Sequence, residues 1–268
     1  MKHRLPLAVA VVALAIALPA STAAAKTTIS MSGSTSVAPL AAKLAKGYLK
    51  AHPGAVSFRL AQGGSDVGVA DVAAGRVTIG NSSRDPKGSD PGGLVWNRIA
   101  RDAICIATNP GNPVSGLTQA QVQAIFSGQV RSWSDVPGAG SSGPIDIVVR
   151  TAASGTQDAF QKIFMGNAKV SSSAAQKASN GLVAQAIRSD PNAVGYVSLA
   201  FTKGLNDARY KGVACNLRTA KSGQYEGVRN FWMVTRGKAQ GAALSFIRWI
   251  QRSRAARAIT ATGWVPLH

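Results

Sequence analysis

Apolar and polar positions alternate along the chain with two different periods, and each change of period marks an expected element. Short, mostly apolar runs read as strands: "TTISM" (27–31), "VSFRLA" (56–61), "VTIGN" (77–81), "AICIAT" (103–108), "IDIVV" (145–149), "AVGYVSL" (193–199) and "RNFWMVT" (229–235). Between the first two, Val37, Leu40, Ala41, Leu44 and Tyr48 recur at the spacing of one helix face. Thr118 with Gln121 forms an expected capping box for a helix running to Phe126. A last helix is expected over about 240–257, stopped ahead of "ATGWVPLH", where Gly263 and Pro266 cannot continue it. Strand-like runs alternating with helical ones predict an α/β protein with largely parallel sheets. Apart from the Gly/Ser loop "GAGSSG" (138–143), there is no low-complexity tract, and no internal repeat.

The first 25 residues follow another pattern. Lys2 and Arg4 precede an apolar run from Leu5 to Leu18, and the small residues Ala23, Ala24 and Ala25 close it, which predicts an export signal cleaved after Ala25. Pro6 and Pro19 bound an apolar stretch shorter than the roughly 20 residues a bilayer span requires. No cysteine lies near that point, so anchoring through a lipidated N-terminal Cys is not expected, and the mature protein is expected to be exported and soluble. Export makes Cys105 and Cys215 candidates for one disulfide, with two buried thiols as the alternative.

The chain's 268 residues, 46% of them hydrophobic, suffice for one large domain or two modest ones. Thirty basic against eleven acidic residues give a formal charge of +19, and +17 once Lys2 and Arg4 leave with the signal. Such a field favours anions, anionic polymers and acidic surfaces.

Three strand ends feed hydroxyl-bearing turns into helix N-termini. "SMSGSTSVAPL" carries Ser34, Thr35 and Ser36, "AQGGSDVGVADV" carries Ser65, and "RTAASGTQDAF" carries Arg150, Ser154, Gly155 and Thr156. Helix starts offer free N–H groups and the positive end of the dipole, and the Arg fork suits tetrahedral oxyanions, so phosphate or sulfate is the expected guest. A single such turn is an ordinary helix cap. Three in one chain, one with an arginine, point to a site. The Walker spacing is missing, which removes support for nucleotide hydrolysis. "GNSSRDP", with Ser83 before Arg84, reads equally as a ligand contact and as an exposed turn.

Other chemistry finds little support. The mature chain's His52 and His268 lie far apart without neighbouring Cys or carboxylate clusters, so no metal and no cofactor is expected. No G-x-S-x-G elbow is present, and the chain is not expected to be an enzyme. The helix carrying Arg248, Arg252, Arg254 and Arg257 lacks interleaved aromatic platforms, which argues for a solvated face and against nucleic acid. Contact with an anionic cell envelope stays open.

"GSTSVAPL", "GGSDVG", "GNSSR", "TNPGNPVSGLT...IFSGQVRSWSDV", "RTAASGTQDAF", "SDPNAVGYVSL" and the terminal "GWVPL" resemble, in order and over about 28–267, the phosphate-binding proteins of bacterial phosphate ABC transporters. The resemblance implies a two-lobed periplasmic-binding-protein-like α/β fold with two crossovers and a hinged ligand cleft. It implies a first lobe of 26–100 and 225–268 and a second of 101–224. It also implies a monomer that delivers inorganic phosphate to an ABC permease. By motif it assigns ligand contacts to Ser34, Thr35, Ser36, Ser65, Ser83, Arg150, Ser154, Gly155 and Thr156, with backbone donors at Thr35, Gly155 and Thr156. One position departs. Many relatives place an aspartate after the serine, as acceptor for the proton of hydrogen phosphate, where this chain has Ser83 followed by Arg84. Asp66 or Asp158 could replace it, although each also fits a first-turn helix acid. Two alternatives accompany this expectation: an envelope-associated adhesion protein that binds anionic polymers, and a receptor for sulfate or another tetrahedral oxyanion.

Overall fold

A computed structural model describes residues 26–267 of the chain, so the expected export signal lies outside the described residues. The described residues form eleven strands: β1 (Thr28–Gly33), β2 (Ser57–Leu60), β3 (Ile79–Ser82), β4 (Leu94–Thr108), β5 (Gly116–Leu117), β6 (Asp146–Arg150), β7 (Ala175–Lys177), β8 (Ala193–Ser198), β9 (Asn206–Asp207), β10 (Arg209–Tyr210) and β11 (Val228–Arg236). The helices are α1 (Ala38–Ala51), α2 (Ser65–Ala73), α3 (Gln119–Phe126), α4 (Gly155–Phe160), α5 (Asn180–Ser189), α6 (Leu217–Ser222), α7 (Gly241–Arg252) and α8 (Arg254–Thr260).

Two strands organise the molecule. The first part of β4 pairs with β11, which continues through β3 to β1 and β2; the second part, from Ile104 to Thr108, pairs with β8, followed by β6 and β7. The fold is therefore two-lobed, with β4 and β11 running between the lobes. The sheets are mixed, which corrects the expectation of largely parallel ones. Pairing is parallel at β1–β2, β1–β3, β6–β7 and β6–β8, but antiparallel at β3–β11, β11–β4 and β4–β8. The cause is topological: one connecting strand leaves the first lobe and the other returns, so they meet head to tail.

Each lobe buries its own core. Ile29, Leu40, Leu44, Phe231, Phe246 and Trp264 pack in one, and Ile106, Phe126, Trp133, Phe160, Phe164 and Tyr196 in the other. The helix-spaced set Val37 to Tyr48 is buried as α1 predicts, and the Thr118–Gln121 capping box forms at α3. The last helix is interrupted. Ser253 adopts extended backbone and caps α8 by accepting from the N–H groups of Ala255 and Ala256, so 240–257 divides into α7 and α8. Cys105 on β4 and Cys215 are joined by a disulfide that closes a sequence separation of 110 residues.

Candidate anion-binding site

Hydroxyls cap α4 and α5 at the cleft, whereas α1 and α2 start at Val37 and Gly64 without a side-chain cap. Ser34 follows Gly33, the glycine that ends β1 at φ +124°, and its Oγ accepts from the N–H groups of Ser36 (3.2 Å) and Val37 (3.4 Å). Ser154 caps α4 by accepting from Thr156 N–H (3.1 Å) and Gln157 N–H (3.4 Å). The Thr156 N–H, expected to face an anion, is thus spent on its own cap. Ser179 likewise caps α5, which begins at Asn180.

All nine expected contact residues are buried, and the structure gathers the hydroxyls of the two lobes in two groups. In the first, Ser34 Oγ donates to Ser83 Oγ at 2.8 Å, Ser83 Oγ lies 3.3 Å from Ser65 Oγ, and Ser83 N–H donates to Ser65 Oγ at 3.0 Å. Gly155 abuts this group: a Cβ there would stand 2.9 Å from both Ser83 Oγ and the backbone nitrogen of Arg84, so no larger residue fits.

The second group joins the lobes. Ser36 Oγ receives N–H donors from Arg229 Nη2 (2.9 Å) and Asn180 Nδ2 (2.8 Å) and lies 2.9 Å from Thr156 Oγ1. With both Ser36 lone pairs taken, its proton goes to Thr156, whose own hydroxyl proton remains for another acceptor. Asn180 also donates to Thr35 Oγ1 at 3.0 Å and accepts from Ser198 N–H at 3.0 Å. At the rim, Asp66 N–H donates to the Ala153 carbonyl (3.1 Å) and Lys87 pairs with Asp158 (2.8 Å).

Charge at this site is uneven. Arg229 is held by Asp102, whose Oδ2 accepts from Nη2 at 2.9 Å and from Nε at 3.2 Å, while Ser198 Oγ donates to Oδ1 at 2.9 Å. Burial pushes the Asp102 carboxyl up and the Arg229 guanidinium down, each opposed by the partner's charge. Arg150, only 2% exposed, meets carbonyls instead: Nε donates to Lys177 O (3.1 Å) and Nη2 to Ala178 O (2.8 Å). Burial pulls Arg150 down to about 10, and the nearby Arg229 charge adds to this, against Tyr196. Three of its five N–H groups have no protein acceptor among the described residues. With Asp102 offsetting Arg229, one uncompensated positive charge remains buried.

The candidate replacements for the family aspartate are engaged elsewhere. Asp66 binds Arg84 Nε at 2.6 Å and Asp158 binds Lys87. Arg84 itself turns from the cleft into Asp66, Asp90 and the Asp85 carbonyl. Sequence reading missed Asp102, Asn180 and Arg229. For two of them a signal exists: with period-2 alternation, Asp102 shares a strand face with Ala100 and Ile104, and Arg229 shares one with Phe231 and Met233, all buried. A charge on the apolar face of a strand is the mark of a paired or functional group.

A family model described as a PBP superfamily domain matches residues 18–254. A putative phosphate ABC transporter substrate-binding protein from Clostridium perfringens, solved with bound phosphate, is 30% identical with a TM-score of 0.85, covering 90% of this chain and 100% of that one. An ABC-type phosphate transport receptor from Vibrio cholerae is 26% identical, covers 88% of this chain and 99% of that one, and has a TM-score of 0.71. The phosphate-binding protein PstS of Bacillus subtilis is 26% identical over 89% of this chain and 80% of its own length. The chain belongs to the PBP superfamily and, within it, to the family of phosphate ABC-transporter substrate-binding proteins.

Proposed function

We propose that the protein captures inorganic phosphate outside the cytoplasm and passes it to an ABC permease, without covalent chemistry. The observation that carries this reading is Arg150: a buried cation whose polar neighbours are carbonyls, with three N–H groups left to serve an anion. A buried charge without a counter-charge is costly, and a phosphate dianion or monoanion supplies the missing partner. Around it, Thr156 offers a hydroxyl proton, Ser65 a hydroxyl, and the starts of α1, α2, α4 and α5 their dipoles. The Clostridium relative was solved with bound phosphate, the Vibrio one is a phosphate transport receptor and the Bacillus one a phosphate-binding protein, which supports the same assignment here.

In this reading residues 26–100 with 225–268 and residues 101–224 move as two bodies about β4 and β11. Closing brings Ser36 to Thr156 and Asn180, so the oxygens of the ligand exchange water for fixed donors at the moment the lobes meet. A monomer suffices for this, and the expected export signal places it where solute is gathered.

Calorimetric titration of the protein, stripped of anion by unfolding and refolding, is expected to give one-to-one phosphate binding that survives high salt, because a closed pocket is not screened as surface charge is. Saturable sulfate binding with no phosphate response would replace the assignment with the oxyanion alternative. Binding that collapses with salt would instead favour the adhesion reading.

A further inference from the structure

The strong positive charge of the chain is not explained by a cleft that holds one anion, and it is not spread evenly. Segments 26–65 and 227–267 carry five and seven Lys or Arg residues and no Asp or Glu. Arg229 is buried at the cleft, but seven of the other basic residues lie on α1, α7 and α8, which pack together in the first lobe. Gly47 makes the packing close: a Cβ there would meet Ile259 of α8 and lie 3.2 Å from Trp249 of α7. The apolar faces of these helices turn inward through Leu40, Leu44, Phe246, Ile247 and Ile250. Outward they present exposed Lys46 and Lys50 on α1, Arg248 and Arg252 on α7, and Arg254 and Arg257 on α8. The i,i+4 and i,i+3 spacings put each pair on one face of its helix. None of the six forms a salt bridge among the described residues.

We propose that this face binds the anionic headgroups of a lipid bilayer, holding the receptor against a membrane surface while its cleft stays open to solute. Charge complementarity identifies the partner, and the shape of the patch selects among polyanions. Three helices side by side carry unpaired cations, so the basic field is broad, which suits a plane of headgroups, whereas one linear polymer would neutralise one stripe of it. The contact is adsorption and not insertion: Leu49, 37% exposed, is the large hydrophobic residue of these helices classed as exposed, and the others are buried or, like Leu244, Trp249 and Ile259, half-buried. Each Lys or Arg near such a surface adds to the attraction, which salt screens.

The inference is independent of the cleft, and its test keeps the two apart. The protein is sedimented with vesicles of phosphatidylcholine alone and of equal phosphatidylcholine and phosphatidylglycerol, at low and high salt, beside the triple variant Lys46→Gln, Arg252→Gln, Arg257→Gln. Expected are binding to the anionic vesicles only, release by high salt, and about a hundredfold weaker partitioning of the variant. Its phosphate titration and thermal unfolding should match the parent's, which shows that fold and cleft are intact. Equal binding to neutral vesicles, or undiminished binding by the variant, overturns the proposal. So does soluble poly(glycerol phosphate) stripping the protein from vesicles at matched phosphate concentration, which would make a linear polymer the partner.

Discussion

Arg84 and Arg150 are both buried to within a few per cent and both stand at strand ends, Arg150 as the last residue of β6 and Arg84 two residues past β3, yet their surroundings differ. Arg84 is saturated by carboxylates, with Asp66 on Nε and Asp90 spanning Nη1 and Nη2. Arg150 has carbonyls on two of its N–H groups and a second guanidinium nearby. The lesson is that the role of a buried cation is read from what neutralises it. Arg84 braces the turn that holds Ser83. Arg150 keeps a buried charge that no carboxylate among the described residues matches. Arg229 stands between these cases: neutralised by Asp102, it still lends a donor to Ser36.

Substitutions can break this comparison at several strengths. Asp102→Ala should have the largest effect, because it strands a fully buried guanidinium; a loss of about 3–5 kcal/mol in chemical denaturation is expected. Arg84→Met leaves half-buried Asp90 without its partner and should cost about 3 kcal/mol of stability, at the lower end of that range because both carboxylates are partly exposed, while the folded fraction still titrates with phosphate. Arg150→Met should do the reverse. Unfolding stability should hold or rise, since an unpaired buried charge is removed, while phosphate affinity falls by about 1.5–3 kcal/mol, the range for one charged hydrogen bond.

The smallest effect concerns pH. Burial raises Asp207 to about 6, and its Oδ1 lacks a partner. Because the folded state holds this proton more tightly than the unfolded chain, its contribution to stability is present at low pH and is lost as pH rises through about 6. Asp207→Asn should therefore stabilise the protein at pH 7 by about 1 kcal/mol, discounted because the residue is only half-buried, and flatten the stability profile between about pH 4 and 6. Equal pH profiles for parent and variant would show that Asp207 titrates normally.

The sequence exposes this architecture unevenly. Strand and helix runs are legible where burial imposes a clean period, as in the set Val37 to Tyr48 on α1 and the capping box of α3. The first part of β4 is hidden because Arg98, Arg101 and Asp102 interrupt its apolar run, and the antiparallel joining of β4 to β11 depends on contacts remote in sequence. The hydroxyl turns are legible because capping chemistry is local. Ser36 and Asn180 meeting over 144 residues, or Asp102 and Arg229 over 127, is not. Nor could sequence reveal that Arg84 turns away from the cleft, since the direction of its side chain is decided by Asp66 and Asp90.

The most direct test is a calorimetric phosphate titration of anion-stripped parent and Arg150→Met protein, with stability measured on the same samples. The account predicts one-to-one binding by the parent and at least roughly tenfold weaker binding by a variant that is no less stable. Parent-like phosphate affinity in a folded Arg150→Met protein would contradict it, since the uncompensated charge of the cleft would then play no part in holding the anion.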